Sequence, residues 1–136
     1  MTVVRDAMVP EPRTLAGTAT AQEAGRLLER PEVRAVLVTD DDGRLVGVIT
    51  RKTLVREIVA AGRDPRATQV GGIAEPPYYT IGPEVPLDEA FHFLEEHDAE
   101  RVPVVEEGRL VGVLSRSGLQ RRLAEDEPPP EEPDAA

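Results

Sequence analysis

Gly43-Arg44-Leu45-Val46-Gly47-Val48 returns 65 residues later as Gly108-Arg109-Leu110-Val111-Gly112-Val113, identical at every position. Outward from this pair the likeness continues. Glu23-Ala24 returns as Glu89-Ala90, Leu27-Leu28 as Phe93-Leu94 and Thr14-Leu15 as Thr80-Ile81, all offset by 66. Arg34 aligns with Arg101 at an offset of 67. A chain that repeats itself at a near-constant spacing is built from one supersecondary unit used twice. The drift from 67 to 65 predicts two extra residues in the first copy, placed at Asp40-Asp41-Asp42, where a hairpin tip tolerates a length change.

Both copies read as βαββα. A strand is expected near Arg13–Leu15, and its counterpart near Tyr78–Ile81. The next segment carries a Thr20-x-x-Glu23 capping box and an apolar stripe of Ala24, Leu27 and Leu28 at helical spacing. In the second copy Pro86 suits the first turn, and Ala90, Phe93 and Leu94 repeat the stripe. The β-branched run Ala35–Thr39, an acidic Asp-Gly turn and Leu45–Ile49 predict a hairpin, matched by Val102–Glu106 and Leu110–Leu114. Thr50 and Ser115 stand where each hairpin ends and a second helix begins, as good N-cap residues. Leu54, Val55 and Ile58 are expected to face the core from that helix, as are Leu119 and Leu123 from its counterpart, and Gly62 ends the first of the two. Separate cores of about 60 residues are only marginally stable, so the halves are expected to pack on each other.

On these residues the chain resembles the CBS (cystathionine-β-synthase) domain family. The family's G-h-x-[ST]-x-x-D segment stands here as Gly47-Val48-Ile49-Thr50-Arg51-Lys52-Thr53 and as Gly112-Val113-Leu114-Ser115-Arg116-Ser117-Gly118. Its Pro-containing apolar run appears as Arg101-Val102-Pro103-Val104. The likeness covers residues 3–124 and is strongest to small bacterial proteins made of one CBS pair. Ala61-Gly62-Arg63-Asp64-Pro65 followed by Tyr78-Tyr79 adds to it. It implies an α/β (α+β type) fold of two units about a pseudo-two-fold, each with a small three-stranded sheet and two helices. Motif 1 would span 1–62, a linker 63–69, motif 2 70–124, and a disordered acidic, proline-rich tail 125–136.

The resemblance also implies a non-catalytic regulatory or sensor module. An adenosine-containing ligand of the AMP, ATP or S-adenosylmethionine type would sit between the units, with no cofactor required. The alternative is a scaffold that binds no ligand, dimerises and contacts a protein partner. By position, one cleft would combine Val48, Thr50, Lys52 and Thr53 with Tyr78, Tyr79, Arg101 and Pro103. A second, weaker cleft would combine Val113, Ser115 and Ser117 with Arg13, Arg34 and Val36. Thr50 and Ser115 would reach ribose or phosphate, Tyr79 and Pro103 would pack on the base, and Lys52, Arg34 and Arg101 would neutralise phosphates. Thr53 and Gly118 replace the Asp that grips the ribose in nucleotide-binding members, and Val36 occupies the proline position of the second cleft. The family also associates as homodimers.

Each of these residues has a structural reading as well. Thr50 and Ser115 serve equally as helix caps, and Gly47 and Gly112 as sites of close strand–helix packing. The arginines pair with carboxylates on many surfaces, and Tyr78-Tyr79 suits a half-buried strand.

Composition narrows the remaining classes. Hydrophobic residues make up 40% of the chain, with no Trp, two Phe and two Tyr, so the core is aliphatic. The net charge is −10, but six acids fall in the last twelve residues, leaving a body of −4. That balance argues against binding duplex nucleic acid, which needs a basic face. Cysteine is absent, which removes disulfides, thiolate zinc sites and a cysteine nucleophile. No apolar run approaches the ~18 residues of a membrane span and the start lacks a signal-type apolar region, so a cytoplasmic protein without membrane contact is expected. His92 and Glu96 lie four apart on a helix but lack a third ligand at suitable spacing, so no metal site is predicted. Asp40-Asp41-Asp42-Gly43 lacks the alternating ligands of a calcium loop. With no catalytic triad, phosphate-cradling loop or redox motif, no enzyme is expected.

Overall fold

A computed structural model describes residues 2–126. The first unit holds β2 (Thr14–Ala16), α2 (Ala21–Leu28), β3 (Val36–Thr39), β4 (Leu45–Ile49) and α3 (Arg51–Leu54), which continues as a π-helical turn over Val55–Val59. The second holds α4 (Leu87–Glu96), β5 (Arg101–Glu106), β6 (Arg109–Ser115) and α5 (Arg116–Asp126). Two short leaders precede the units. These are α1 (Val4–Ala7) with β1 (Val9–Pro10), and a 3₁₀ turn at Val70–Gly72.

Each leader crosses to the other unit. β1 pairs antiparallel with β6 (Val9 opposite Val113), and 66 residues later Glu75 bridges Val48 of β4. Val4 is buried with Leu87, Ala90, Leu94, Val102, Val104, Leu114 and Leu119 of the second unit, whereas Val70 and Ile73 complete the first-unit core of Ala24, Leu28, Val38 and Ile49. There are thus two cores, each closed by a segment from the other half. This exchange resolves the instability of a 60-residue core, because neither unit is complete alone. The hairpin tips also meet, through an Arg44–Arg109 bridge in which Leu45 N–H donates to Gly108 O (3.1 Å) and Leu110 N–H to Gly43 O (3.0 Å). The same exchange explains Gly47 and Gly112. A Cβ at Gly47 would lie 2.7 Å from Glu75 O, and one at Gly112 would lie 2.8 Å from Val9 O. The close approach is to the crossing strand, not to a helix as expected.

Sheet register corrects the repeat. Val36 pairs with Ile49 and Val102 with Leu114, so β3 and β5 stay offset by 66. Ala35, not Arg34, is therefore the equivalent of Arg101, Arg34 is that of Glu100, and Leu37 rather than Val36 is that of Pro103. One extra residue, not two, separates the hairpins. Thr39–Leu45 closes over a tip in which Asp40 Oδ1 accepts from Asp42 N–H and Arg44 N–H, both at 2.9 Å. Glu106–Arg109 closes over Glu107 and Gly108, both with positive φ (52° and 83°), as a two-residue hairpin turn requires.

The first sheet has the order β2-β3-β4, with β2 parallel to β3. The second takes the order β1-β6-β5, and the strand expected at Tyr78–Ile81 contracts to one parallel bridge, Ile81 to Val104. Ile81 N–H donates to Pro103 O (3.1 Å) and Val105 N–H to Ile81 O (2.9 Å). The next rung toward Tyr79 would need an N–H from residue 103, and proline has none.

In the helix after β4, Ile58 is buried and Leu54 packs on the core, but Val55 is 59% and Val59 74% exposed. Val55 and Val59, four apart, form an outward stripe beside the inward one, which corrects the expectation for Val55. In the second unit, Leu119 is buried and Leu123 packs on the same core. α5 runs to Asp126, past the expected start of the tail, and residues 127–136 lie outside the described residues. No helix among the described residues is long and apolar enough to cross a membrane.

Candidate functional site

The crossing leaders leave a groove of about 940 Å³ between the two units. It is floored by small aliphatic side chains, Val36, Val48, Val102 and Val113. Thr50, the N-cap of α3, and Lys52 of α3 enter it from the first unit, and Ser115 of β6 and Ser117 of α5 from the second. Arg13, Arg34, Tyr78, Tyr79, Arg101 and Pro103 also line it. The residues expected in two clefts therefore share one continuous groove, of the size that holds a nucleotide-sized ligand.

Thr53 is the exception. It is fully buried, and its Oγ1 accepts the Thr50 N–H at 3.0 Å and lies 3.0 Å from Thr50 Oγ1, while Thr50 Oγ1 accepts the Thr53 N–H at 3.3 Å. This reciprocal cap turns Thr53 away from the groove, so it does not stand in for a ribose-gripping carboxylate. Ser115 Oγ caps the equivalent helix by accepting from Gly118 N–H at 3.0 Å. A Cβ at Gly118 would sit 2.8 Å from Ser115 Oγ. The hydroxyls of Thr50 and Ser115 thus have a structural role, yet both border the groove.

The arginines that follow these hydroxyls are structural too. Arg51 donates to the carbonyls of Leu28 and Arg30 (2.7 Å to the latter), and Arg116 to Leu94 O (2.8 Å). Each closes the C-terminus of its unit's first helix, where carbonyls lack partners.

Tyr79, released from the sheet by Pro103, stacks on His97 with ring centroids 4.4 Å apart and meets Phe93 edge-on at 5.6 Å. Tyr78 is 86% exposed at the groove mouth, so neither tyrosine is an ordinary strand residue.

The cations divide into two kinds. Arg5 pairs with Glu84 and Glu106, and its hydrogen bond to Glu84 raises its pKa above the ordinary arginine value. Arg56 pairs with Glu57 and Glu75, and Arg63 with Glu57. Among the described residues, Arg13, Arg34, Lys52 and Arg101 have no carboxylate partner, and neither has Arg30, a further groove residue. The surface-pair reading therefore fails for the cations of the groove.

Sequence reasoning missed Arg30, Glu75, His97 and Glu100. Arg30 and His97 each follow the first helix of a unit, in loops whose path the repeat does not specify. Glu75 enters through the crossing leader. Among the described residues no group of three or more His, Cys, Asp or Glu side chains is placed to hold a metal ion.

Comparison with known proteins agrees with this architecture. Hypoxic response protein 1 of Mycobacterium tuberculosis is 31% identical over 125 residues, covering 92% of this chain and 87% of its own length. A crystal structure of Hypoxic Response Protein I with two coordinated zinc ions superposes with a TM-score of 0.74 at 30% identity, over 90% of this chain and 99% of the other. CBSX2 in complex with AMP shares the fold, with a TM-score of 0.73 at 24% identity, over 92% of this chain and 98% of the other. The CBS domain family model matches twice, at residues 4–60 and 70–125. Two matched repeats, two exchanged cores and one groove between them make this chain a member of the CBS-domain family, present as a single pair.

Proposed function

We propose that the protein is a non-catalytic regulatory module that holds an adenosine-containing ligand in the groove between its two CBS units. The observation that carries this reading is the set of five cations without carboxylate partners around an aliphatic floor with exposed aromatic rings at its edge. Unpaired guanidinium and ammonium groups suit phosphate, and rings with small aliphatics suit a base. The AMP complex of the fold relative CBSX2 agrees with it. The working unit is the pair, motif 1 over 1–62 and motif 2 over 70–124 joined by 63–69, acting in the cytoplasm as a homodimer. Val55 and Val59 rim an apolar hollow of about 630 Å³ between α2 and α3, a face suited to a second copy.

The test is a thermal-shift screen against adenine nucleotides, S-adenosylmethionine, nicotinamide dinucleotides and guanine nucleotides at millimolar concentration. An adenosine ligand is expected to raise the melting temperature by several degrees. Thr50→Val and Lys52→Ala should abolish the shift, each measured against the variant's own unliganded melting point because Thr50 is also a cap. No shift with any ligand would favour the second reading, a scaffold that dimerises and contacts a protein partner. That reading is supported by Thr53 and Gly118, which put no carboxylate beside the groove.

A further inference from the structure

The two walls of the groove come from equivalent units and differ in charge. Arg13, Arg30, Arg34 and Lys52 stand on the first-unit wall. By the observed register their equivalents in the second unit are Tyr79, Glu96, Glu100 and Ser117, none of them a cation. Arg101, the cation of the second wall, is the equivalent of Ala35. The acids of the groove are engaged elsewhere: Glu75 with Arg56, and Asp98 and Glu100 with Arg116 at 3.7 and 3.6 Å. The first wall is left with four exposed cations without carboxylate partners among the described residues, and the second with one, Arg101, together with Tyr79 stacked on His97.

We propose that the groove takes one nucleotide per chain, laid across it with its phosphates on the first-unit wall and its base on the second. The site would then select by phosphate number. This rests on the nucleotide reading above and goes further by fixing the ligand's direction and class. Like charges gathered in one cleft repel one another, and each added phosphate relieves that repulsion while forming charge-assisted hydrogen bonds. S-adenosylmethionine, which carries a sulfonium cation, is disfavoured by the same wall. One direction of binding follows from the broken symmetry, since a ligand turned end for end would set its phosphates against one cation, Arg101, in place of four.

Isothermal titration of the full chain in magnesium-free buffer, with adenosine, AMP, ADP, ATP and S-adenosylmethionine, tests this. Affinity is expected to rise with each phosphate, by about tenfold or more from AMP to ATP, at one ligand per chain. In an Arg30→Gln/Arg34→Gln double variant the series should flatten while adenosine binds unchanged. Both side chains are exposed, and an unaltered melting temperature would verify the fold. Equal affinities for AMP and ATP, a steep series that the double variant leaves intact, or two nucleotides per chain would each overturn the inference while leaving the nucleotide reading standing. Absence of binding by every member would overturn both.

Discussion

Pro103 shows how one residue sets both a strand and a site. Its missing N–H stops the ladder beyond Ile81, and the freed Tyr79 ring turns to His97 at the groove. Gly47 and Gly112 act through close approach, each admitting the crossing strand of the other unit at a distance no Cβ tolerates. Gly47→Ala and Gly112→Ala are therefore expected to destabilise the protein by about 1–3 kcal/mol in urea titration. Arg51→Ala and Arg116→Ala should each cost about 1–2 kcal/mol by leaving helix-end carbonyls unpaired. Arg51→Ala should leave nucleotide affinity unchanged, whereas Arg116→Ala also releases Asp98 and Glu100 at the groove and should weaken it. The repeated motif made the glycines and hydroxyls legible in the sequence. It could not show that Thr53 turns inward to close a cap, because that choice depends on a 3.0 Å contact with Thr50 rather than on residue type.

Among the elements, the strands and helices of each βαββα unit were legible from period and turn chemistry, apart from the strand expected at Tyr78–Ile81, and most boundaries fell within a residue or two. The exchange of leaders was not. β1 has two residues and the bridge at Glu75 only one, too short for a periodic signal, and their partners lie about 27 residues or more away in the chain. The 67-residue alignment of Arg34 with Arg101 failed for a related reason, since only hydrogen-bond register distinguishes Arg34 from Ala35 as the partner position. The exchange has a direct consequence. Removing residues 1–10 takes Val4 out of the second core and β1 off β6, so hydrogen exchange should lose protection in α4, β5, β6 and α5 while β3 and β4 keep theirs. A truncated chain that melts with the full chain's temperature and protection would contradict the exchange.

For the whole molecule, two copies of one unit make a groove whose walls are equivalent by repeat and unequal in charge. The asymmetry was half visible in the sequence, as Arg13 and Lys52 against Tyr79 and Ser117; Arg34 was legible as a cleft residue but was aligned with Arg101, and Arg30 emerged only once the walls were placed. Outside the groove lining, Val55 and Val59 are expected to meet a second copy. Light scattering should give twice the 14.8 kDa chain mass, and a Val55→Asp/Val59→Asp variant should return the single-chain mass with the groove intact. A monomeric parent at tens of micromolar would remove the dimer from the account. The most direct measurement of the central claim is amide chemical-shift mapping of the labelled protein titrated with ATP. Saturation at one equivalent is predicted, with the largest shifts at Arg34, Thr50, Lys52 and Tyr79 and little change around Val55 and Val59. Shifts confined to residues outside the groove, or none at millimolar ATP, would contradict it.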